Sequence, residues 1–166
     1  MKKKFGFGIV RAGVISEVHA LAIGSIENAT LIGVYSIHKD KSDVLADKFN
    51  CTAYDTLDEM LSHPQIDIVC VCTPSGIHFD PAIKGIETGK NCLIDKLLEV
   101  TLEKCDQIIE AAQNVGVKIG VIFPSCFYQA AKQLKHALNE KRFDDLVLGD
   151  AYIKWNRTPE DYQSEK

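Results

Sequence analysis

The sequence predicts an α/β fold built on a doubly wound, mostly parallel sheet. Three observations predict it. Short apolar runs alternate with segments of helical period, the βαβα order that parallel sheets require. The apolar runs are hydrophobic throughout instead of alternating with polar residues, as strands covered on both faces are. The length of 166 residues, 46% hydrophobic and 25% charged, supports one sizeable core and the start of a second unit.

The elements follow in order. Phe5 to Val10 reads as a strand, Val14 to about Ile23 as a helix, Ala29 to Tyr35 as a strand and Lys41 to Phe49 as a helix. Thr56-Leu57-Asp58-Glu59 matches a capping box that opens a short helix. Ile66 to Cys72 is a continuous apolar strand ending at Thr73-Pro74. Pro81 to Thr88 forms a helix stopped by Gly89, and Asn91 to Ile94 a strand. Thr101 caps a helix to about Val115 that Gly116 ends, and Lys118 to Phe123 is the next strand. Phe127 to Glu140 is an amphipathic helix, and Leu146 to Trp155 is expected to be a last strand. Thr158-Pro159-Glu160-Asp161 resembles a helix N-terminus. Arg142, Asp144 and Asp145 interrupt the pattern, so the domains are read as 1–143 and 144–166.

The formal net charge of -4, with scattered Lys and Arg, excludes a large nucleic-acid surface. No window approaches the ~20 apolar residues of a membrane span. The apolar stretch after Lys2-Lys3-Lys4 is too short for a signal peptide and is broken by Gly8 and Arg11. The six cysteines include no CxxC pair and mostly lie in apolar runs. Reduced, buried thiols and a cytoplasmic location are therefore expected, with no metal site.

The first strand runs into Arg11-Ala12-Gly13-Val14-Ile15-Ser16. A dinucleotide site needs a tight turn here, a glycine where the backbone meets the pyrophosphate, and a helix N-terminus aimed at that anion. The G-x-G-x-x-G pattern falls on Arg11, Gly13 and Ser16, so only the middle glycine is present. Gly13 admits the pyrophosphate and Ser16 suits helix–strand packing. Arg11 either fills the phosphate space or pairs with a phosphate. At the tip of the second strand an acid would bind the ribose 2′-OH. Ser36 stands there instead, followed by His38 and Lys39, a set that suits the 2′-phosphate of NADP, or else a solvated loop.

One combination is more specific. The first turn is followed by Ile66-Asp67-Ile68-Val69-Cys70-Val71-Cys72-Thr73-Pro74-Ser75-Gly76-Ile77-His78, then Gly89-Lys90, Leu93-Ile94-Asp95-Lys96 and the Thr101-capped helix. This order closely resembles the Gfo/Idh/MocA family of glucose–fructose oxidoreductase, inositol dehydrogenase and related sugar dehydrogenases, over almost the whole chain. The resemblance implies a Rossmann fold that holds NADP or NAD, with Cys72, Thr73, Pro74, His78 and Asp95 beside the cofactor. It implies that Lys96, in the motif read here as Asp95-Lys96-Leu97, binds substrate and assists proton transfer. It also implies that Leu146 to Trp155 is the first strand of a second, α+β domain.

The departures from the family are Arg11 for glycine, Leu97 for the motif proline, and Pro124 and Cys126 where polar residues are usual. The family's catalytic D-x-x-x-H helix is missing. His19 and His136, on expected helices, read as surface or packing residues and do not replace it. The expectation is an NAD(P)-dependent sugar or polyol oxidoreductase domain, catalytically incomplete, that forms a homodimer through the last strand. A non-catalytic nucleotide-binding or assembly module is the alternative. A Rossmann domain for a nucleotide sugar or adenosylmethionine is a third reading.

Overall fold

The computed structural model describes residues 3–163 and divides into two compact units, 1–123 and 124–166. The first unit is a six-stranded sheet of β1 (Phe5–Val10), β2 (Ala29–Tyr35), β3 (Thr52–Tyr54), β4 (Ile68–Val71), β5 (Asn91–Asp95) and β6 (Ile119–Ile122). The strand order is β3-β2-β1-β4-β5-β6 and every pairing is parallel. Helices α1 (Val14–Gly24), α2 (Lys39–Phe49), α3 (Leu57–Ser62), α4 (Phe79–Glu87) and α5 (Leu102–Val115) cross between the strands. The doubly wound Rossmann arrangement expected from the apolar strands is the one found.

Side chains alternate across a strand, so consecutive residues feed opposite cores. Ile9 and Cys70 pack with Ala20, Ile23, Leu45 and Ala46 under α1 and α2. Their neighbours Val10, Val69 and Val71 pack with Met60, Leu61, Ile86 and Ile108 under α3, α4 and α5. This two-sided burial is the physical cause of the uninterrupted apolar strands.

Local signals stop and start the helices where expected. The Thr56 hydroxyl accepts from the Glu59 amide at 3.1 Å, and the Thr56 amide donates to the Glu59 carboxylate at 3.2 Å. The Thr101 hydroxyl accepts from the Lys104 amide at 3.4 Å, and Gly116, at φ 80, ends α5. Asp67, just before β4, fastens the lower edge of β1: its carboxylate accepts from the Gly6 amide and from Lys3 Nζ, each at 2.9 Å. Those two bonds hold its carboxyl below the ordinary value.

β3 has no counterpart in the expected elements. It is three residues long and depends on a glycine in the neighbouring strand. A Cβ on Gly33 would meet the Tyr54 ring and, at 2.7 Å, the Thr52 carbonyl.

The second unit holds a 3₁₀ turn (Pro124–Phe127), α6 (Gln129–Asn139) and the short α7 (Pro159–Gln163). The expected strand at Leu146 to Trp155 is not there: residues 146–155 have no regular structure, and Val147 is 95% exposed. A strand is held by hydrogen bonds to a neighbour, and none is offered within this unit. Its apolar pattern is real, but β-propensity without a partner sheet does not make a strand. Among the described residues, no helix is long and apolar enough to cross a membrane.

Candidate functional site

The strand order reverses direction between β1 and β4. In open α/β sheets the crevice beyond the strand ends at that point is where ligands bind. Three chain segments meet there: the β1–α1 turn, the turn after β4 and the tail of β5.

The β1–α1 turn is held by its own residues. Arg11 sits at φ 82, a left-handed conformation that a glycine would adopt without strain. Its amide donates to the Tyr35 carbonyl at 2.6 Å, tying the turn to the end of β2. Ser16, fully buried, donates its hydroxyl to the Arg11 carbonyl at 2.8 Å and accepts the Gly13 amide at 3.3 Å. The small third residue of the fingerprint therefore closes the loop as well as packing the helix. The first-turn amides of α1, from Val14 and Ile15, have no intrahelical acceptor and face the site. Ala12 is buried, whereas Val14 is 83% exposed and Ile15 is exposed.

Gly13 is extended, at φ -154, a conformation any residue adopts. What its missing side chain provides is space. The nearest atom to a Cβ built there is Arg11 Nε at 3.7 Å. A cavity of about 390 Å³ opens beside it, lined by Gly13, Val14, Glu17, Asp40, Lys41 and Val44 among others. An open cradle at a helix N-terminus fits a dinucleotide pyrophosphate, and Arg11 Nε is the side-chain atom that stands next to Gly13.

The turn after β4 is built from Thr73 to His78. The Thr73 hydroxyl donates to the Ile77 carbonyl at 3.0 Å, and the Ile77 amide donates to the Pro74 carbonyl at 3.1 Å. Pro74 is exposed and Thr73 half-buried. Cys72, at the strand tip, is enclosed, so only its backbone can reach a ligand. His78 was expected beside the cofactor, but it has no exposed surface. It is turned inward, with Nε2 2.7 Å from the Thr73 carbonyl and Nδ1 2.6 Å from the Leu97 carbonyl. A residue wholly enclosed by its own chain cannot touch a dinucleotide, and this corrects the expectation.

The tail of β5 carries Asp95, Lys96 and Leu97. The Lys96–Leu97 peptide is cis. The Lys96 side chain is exposed, and among the described residues its ammonium makes no hydrogen bond or ion pair, not even with Asp95. Its carbonyl accepts from the Ser75 hydroxyl at 3.4 Å, which joins the two turns.

The strand tips share an electrostatic neighbourhood. Burial lowers the His19 imidazole below its ordinary value of 6.5, and the Asp95 carboxylate works against that shift. Burial, with Asp95, pushes the Cys72 thiol up to about 12 despite the Ser16 hydroxyl and the Arg11 charge. His19, read from sequence as surface or packing, is a packing residue of α1 facing the β5 tip.

Sequence reasoning missed Glu99. It is 5% exposed, and its carboxylate accepts from the Phe79 amide at 3.0 Å and the Val100 amide at 2.7 Å. Burial works to raise this carboxyl, but those amides, together with Lys104 and His78, outweigh it and leave it below its ordinary value. In sequence a lone Glu between apolar residues carries no mark of this role.

The tip of β2 does not present the cationic set expected for a 2′-phosphate. The Lys39 ammonium is 2.6 Å from Asp55, 3.4 Å from Asp43 and 3.1 Å from the Ala53 carbonyl. The buried Ser36 hydroxyl accepts from the His38 amide at 3.2 Å. The His38 side chain is exposed and makes no capping bond.

Comparison with known proteins bears on this geometry. The family model described as "Oxidoreductase family, NAD-binding Rossmann fold" matches residues 5–123. Glucose-6-phosphate 3-dehydrogenase of Bacillus subtilis is 25% identical over 94% of this chain and 43% of that protein. Inositol 2-dehydrogenase of Rhizobium meliloti is 24% identical over 86% of this chain and 43% of that protein. The WlbA dehydrogenase of Chromobactrium violaceum, solved with NADH and UDP-GlcNAcA, superposes with a TM-score of 0.94 at 25% identity, over 99% of this chain and 48% of that one. The chain spans less than half the length of these relatives. With the fingerprint turn, the Thr73-Pro74 turn and the Lys96 tail gathered at one sheet edge, the chain belongs to the Gfo/Idh/MocA oxidoreductase family and carries its NAD-binding Rossmann domain.

Proposed function

We propose that this chain holds the dinucleotide of a sugar or polyol dehydrogenase and presents Lys96 to the substrate, without turning the substrate over by itself. The observation that carries the reading is the convergence of the open Gly13 cradle, the Thr73-Pro74 turn and an unpartnered Lys96 ammonium at the switch point of the sheet.

The bound nicotinamide would supply hydride transfer to or from a carbinol carbon. The protein's own residues supply the rest. The Val14 and Ile15 amides and the N-terminus of α1 hold the pyrophosphate. Thr73 and Pro74 flank the dinucleotide. Lys96 Nζ holds the substrate hydroxyl and exchanges a proton with it. Arg11 narrows the cradle at Gly13, so cofactor binding is weakened relative to a glycine at that position. Asp43 and Asp55 occupy Lys39, and this supports NADH over NADPH.

Titration of the full chain with NADH and with NADPH tests the reading, followed by an activity screen on polyols. Saturable binding, tighter for NADH and without turnover, is the expected result. Polyol oxidation at ordinary dehydrogenase rates would overturn the incomplete-catalyst part. Absence of binding at millimolar NADH would leave the second reading, an assembly module that keeps only the fold; Leu97 beside Lys96, where the family motif has proline, favours that reading.

We also propose that residues 146–155 pair with a second copy. Val147, Tyr152 and Trp155 are exposed with unpaired backbone around them, a combination that recruits another chain.

A further inference from the structure

His78 makes contacts that a neutral ring cannot satisfy. It is completely buried at the N-terminus of α4. Nδ1 lies 2.6 Å from the Leu97 carbonyl oxygen and Nε2 lies 2.7 Å from the Thr73 carbonyl oxygen. A carbonyl oxygen only accepts, and a neutral imidazole offers one N–H. In either neutral tautomer one of these contacts would set a ring lone pair against a carbonyl lone pair. With both nitrogens protonated, both contacts become charge-assisted hydrogen bonds, a class that runs shorter than neutral pairs.

We propose that His78 is held as an imidazolium and serves as the positioning residue for Lys96, fastening the turn after β4 to the loop that carries the lysine. The inference rests on the reading of Lys96 given above. The two anchored carbonyls belong to the residue that follows Lys96 and to the residue that opens the dinucleotide turn. Fixing both fixes the lysine's backbone relative to the cofactor cradle.

A buried cation needs a carboxylate within electrostatic reach, and Glu99 is one, acting through space and not as a direct ion pair. Its carboxylate is buried, is held by the Phe79 and Val100 amides, and is biased toward the ionised form by His78 itself. The same carboxylate therefore orients the residue after His78 in α4 and the β5 tail on either side of the ring. Other charged groups on the surrounding elements are Asp95 and Lys96 of the β5 tail, Asp80 of α4 and Lys104 of α5. Of these, Lys104 acts on Glu99 from α5.

Long-range ¹⁵N–¹H correlation spectra of the full chain with ¹⁵N-labelled histidine, at neutral pH, test the protonation state. His78→Gln identifies the signals by their disappearance. Both ring nitrogens at shifts of N–H type are expected, and a bare nitrogen at either position would overturn the proposal. Amide hydrogen exchange tests the positioning role. A glutamine donates to only one of the two carbonyls, so exchange at residues 96–100 should rise about tenfold, the loss expected for one charged hydrogen bond, while exchange in β1 is unchanged. A change below about twofold at residues 96–100, within the noise of a single surface contact, would overturn it. If His78→Gln does not fold, His78→Asn assigns the signals and the wild-type spectrum decides. NADH affinity is measured in parallel. Its absence would refute the functional reading and leave the ring's protonation to be judged on its own spectrum.

Discussion

Replacing Arg11 separates strain from charge in the fingerprint turn. A non-glycine residue at φ 82 costs on the order of 1–2 kcal/mol. Arg11→Ala removes the guanidinium and keeps that strain. Arg11→Gly removes both, but the freer unfolded chain takes back about 0.4–1 kcal/mol. The glycine variant should therefore be more stable than the alanine variant by about 0.5–1 kcal/mol. For a unit of this size that is a rise of roughly 2–5 °C in Tm. The assay is thermal unfolding followed by far-UV circular dichroism. Tryptophan fluorescence would mislead, because the one tryptophan, Trp155, lies in the second unit. Both variants clear the space beside Gly13, so both should bind NADH more tightly, by about tenfold if one competing contact of ~1.4 kcal/mol is removed. A glycine variant no more stable than the alanine variant would refute the strain argument. Weaker NADH binding by both would show that Arg11 pairs with the phosphates instead of crowding them.

Four further outcomes are expected. The lowered His19 means that the unfolded state binds more protons just below 6.5, so its contribution to stability is present above that value and is lost as pH falls beneath it; urea midpoints should drop on mild acidification, and His19→Gln should flatten that part of the profile. Thr56→Ala removes the hydroxyl half of a capping box, leaving the Thr56 amide to donate to Glu59, and should cost about 1 kcal/mol in chemical denaturation. Ile94→Ala, at a fully buried position between two other strands, should cost about 2–5 kcal/mol by the same assay. Light scattering at about 100 µM, a concentration at which exposed edges associate, should report a dimer, and Tyr152→Lys with Trp155→Lys should return it to a monomer.

Most of the sheet was legible because burial on two faces leaves a mark in sequence. Ala29–Tyr35 coincides with the expected strand, and the Thr56 and Thr101 caps lie where their side chains announced them. β3 was not legible, since three residues carry no period and the deciding feature, the missing side chain of Gly33, lies in another strand. Residues 146–155 misled for the opposite reason: their pattern is strand-like, but pairing is a property of two chain segments. At the site, the turn residues could be named from spacing, whereas the direction in which His78 points could not. A motif histidine reads the same whether it faces a ligand or two carbonyls of its own chain. Lys39 likewise reads as a free cation until Asp43 and Asp55 are brought to it by the end of β3 and the first turns of α2.

The cysteines give the molecule graded chemical accessibility. Cys126 is exposed, Cys51 and Cys105 are half-covered, and Cys70 and Cys92 in the central strands and Cys72 at the tip of β4 are buried, with thiols held far from ionisation. A thiol reagent should modify them in that order. Labelling of Cys126 would count molecules, labelling of Cys51 would follow fraying at the end of α2, and labelling of Cys70 would wait for the sheet itself to part. The rate at the last of these, measured with and without NADH, would time the opening of the cofactor-bearing strands with no probe added to the protein.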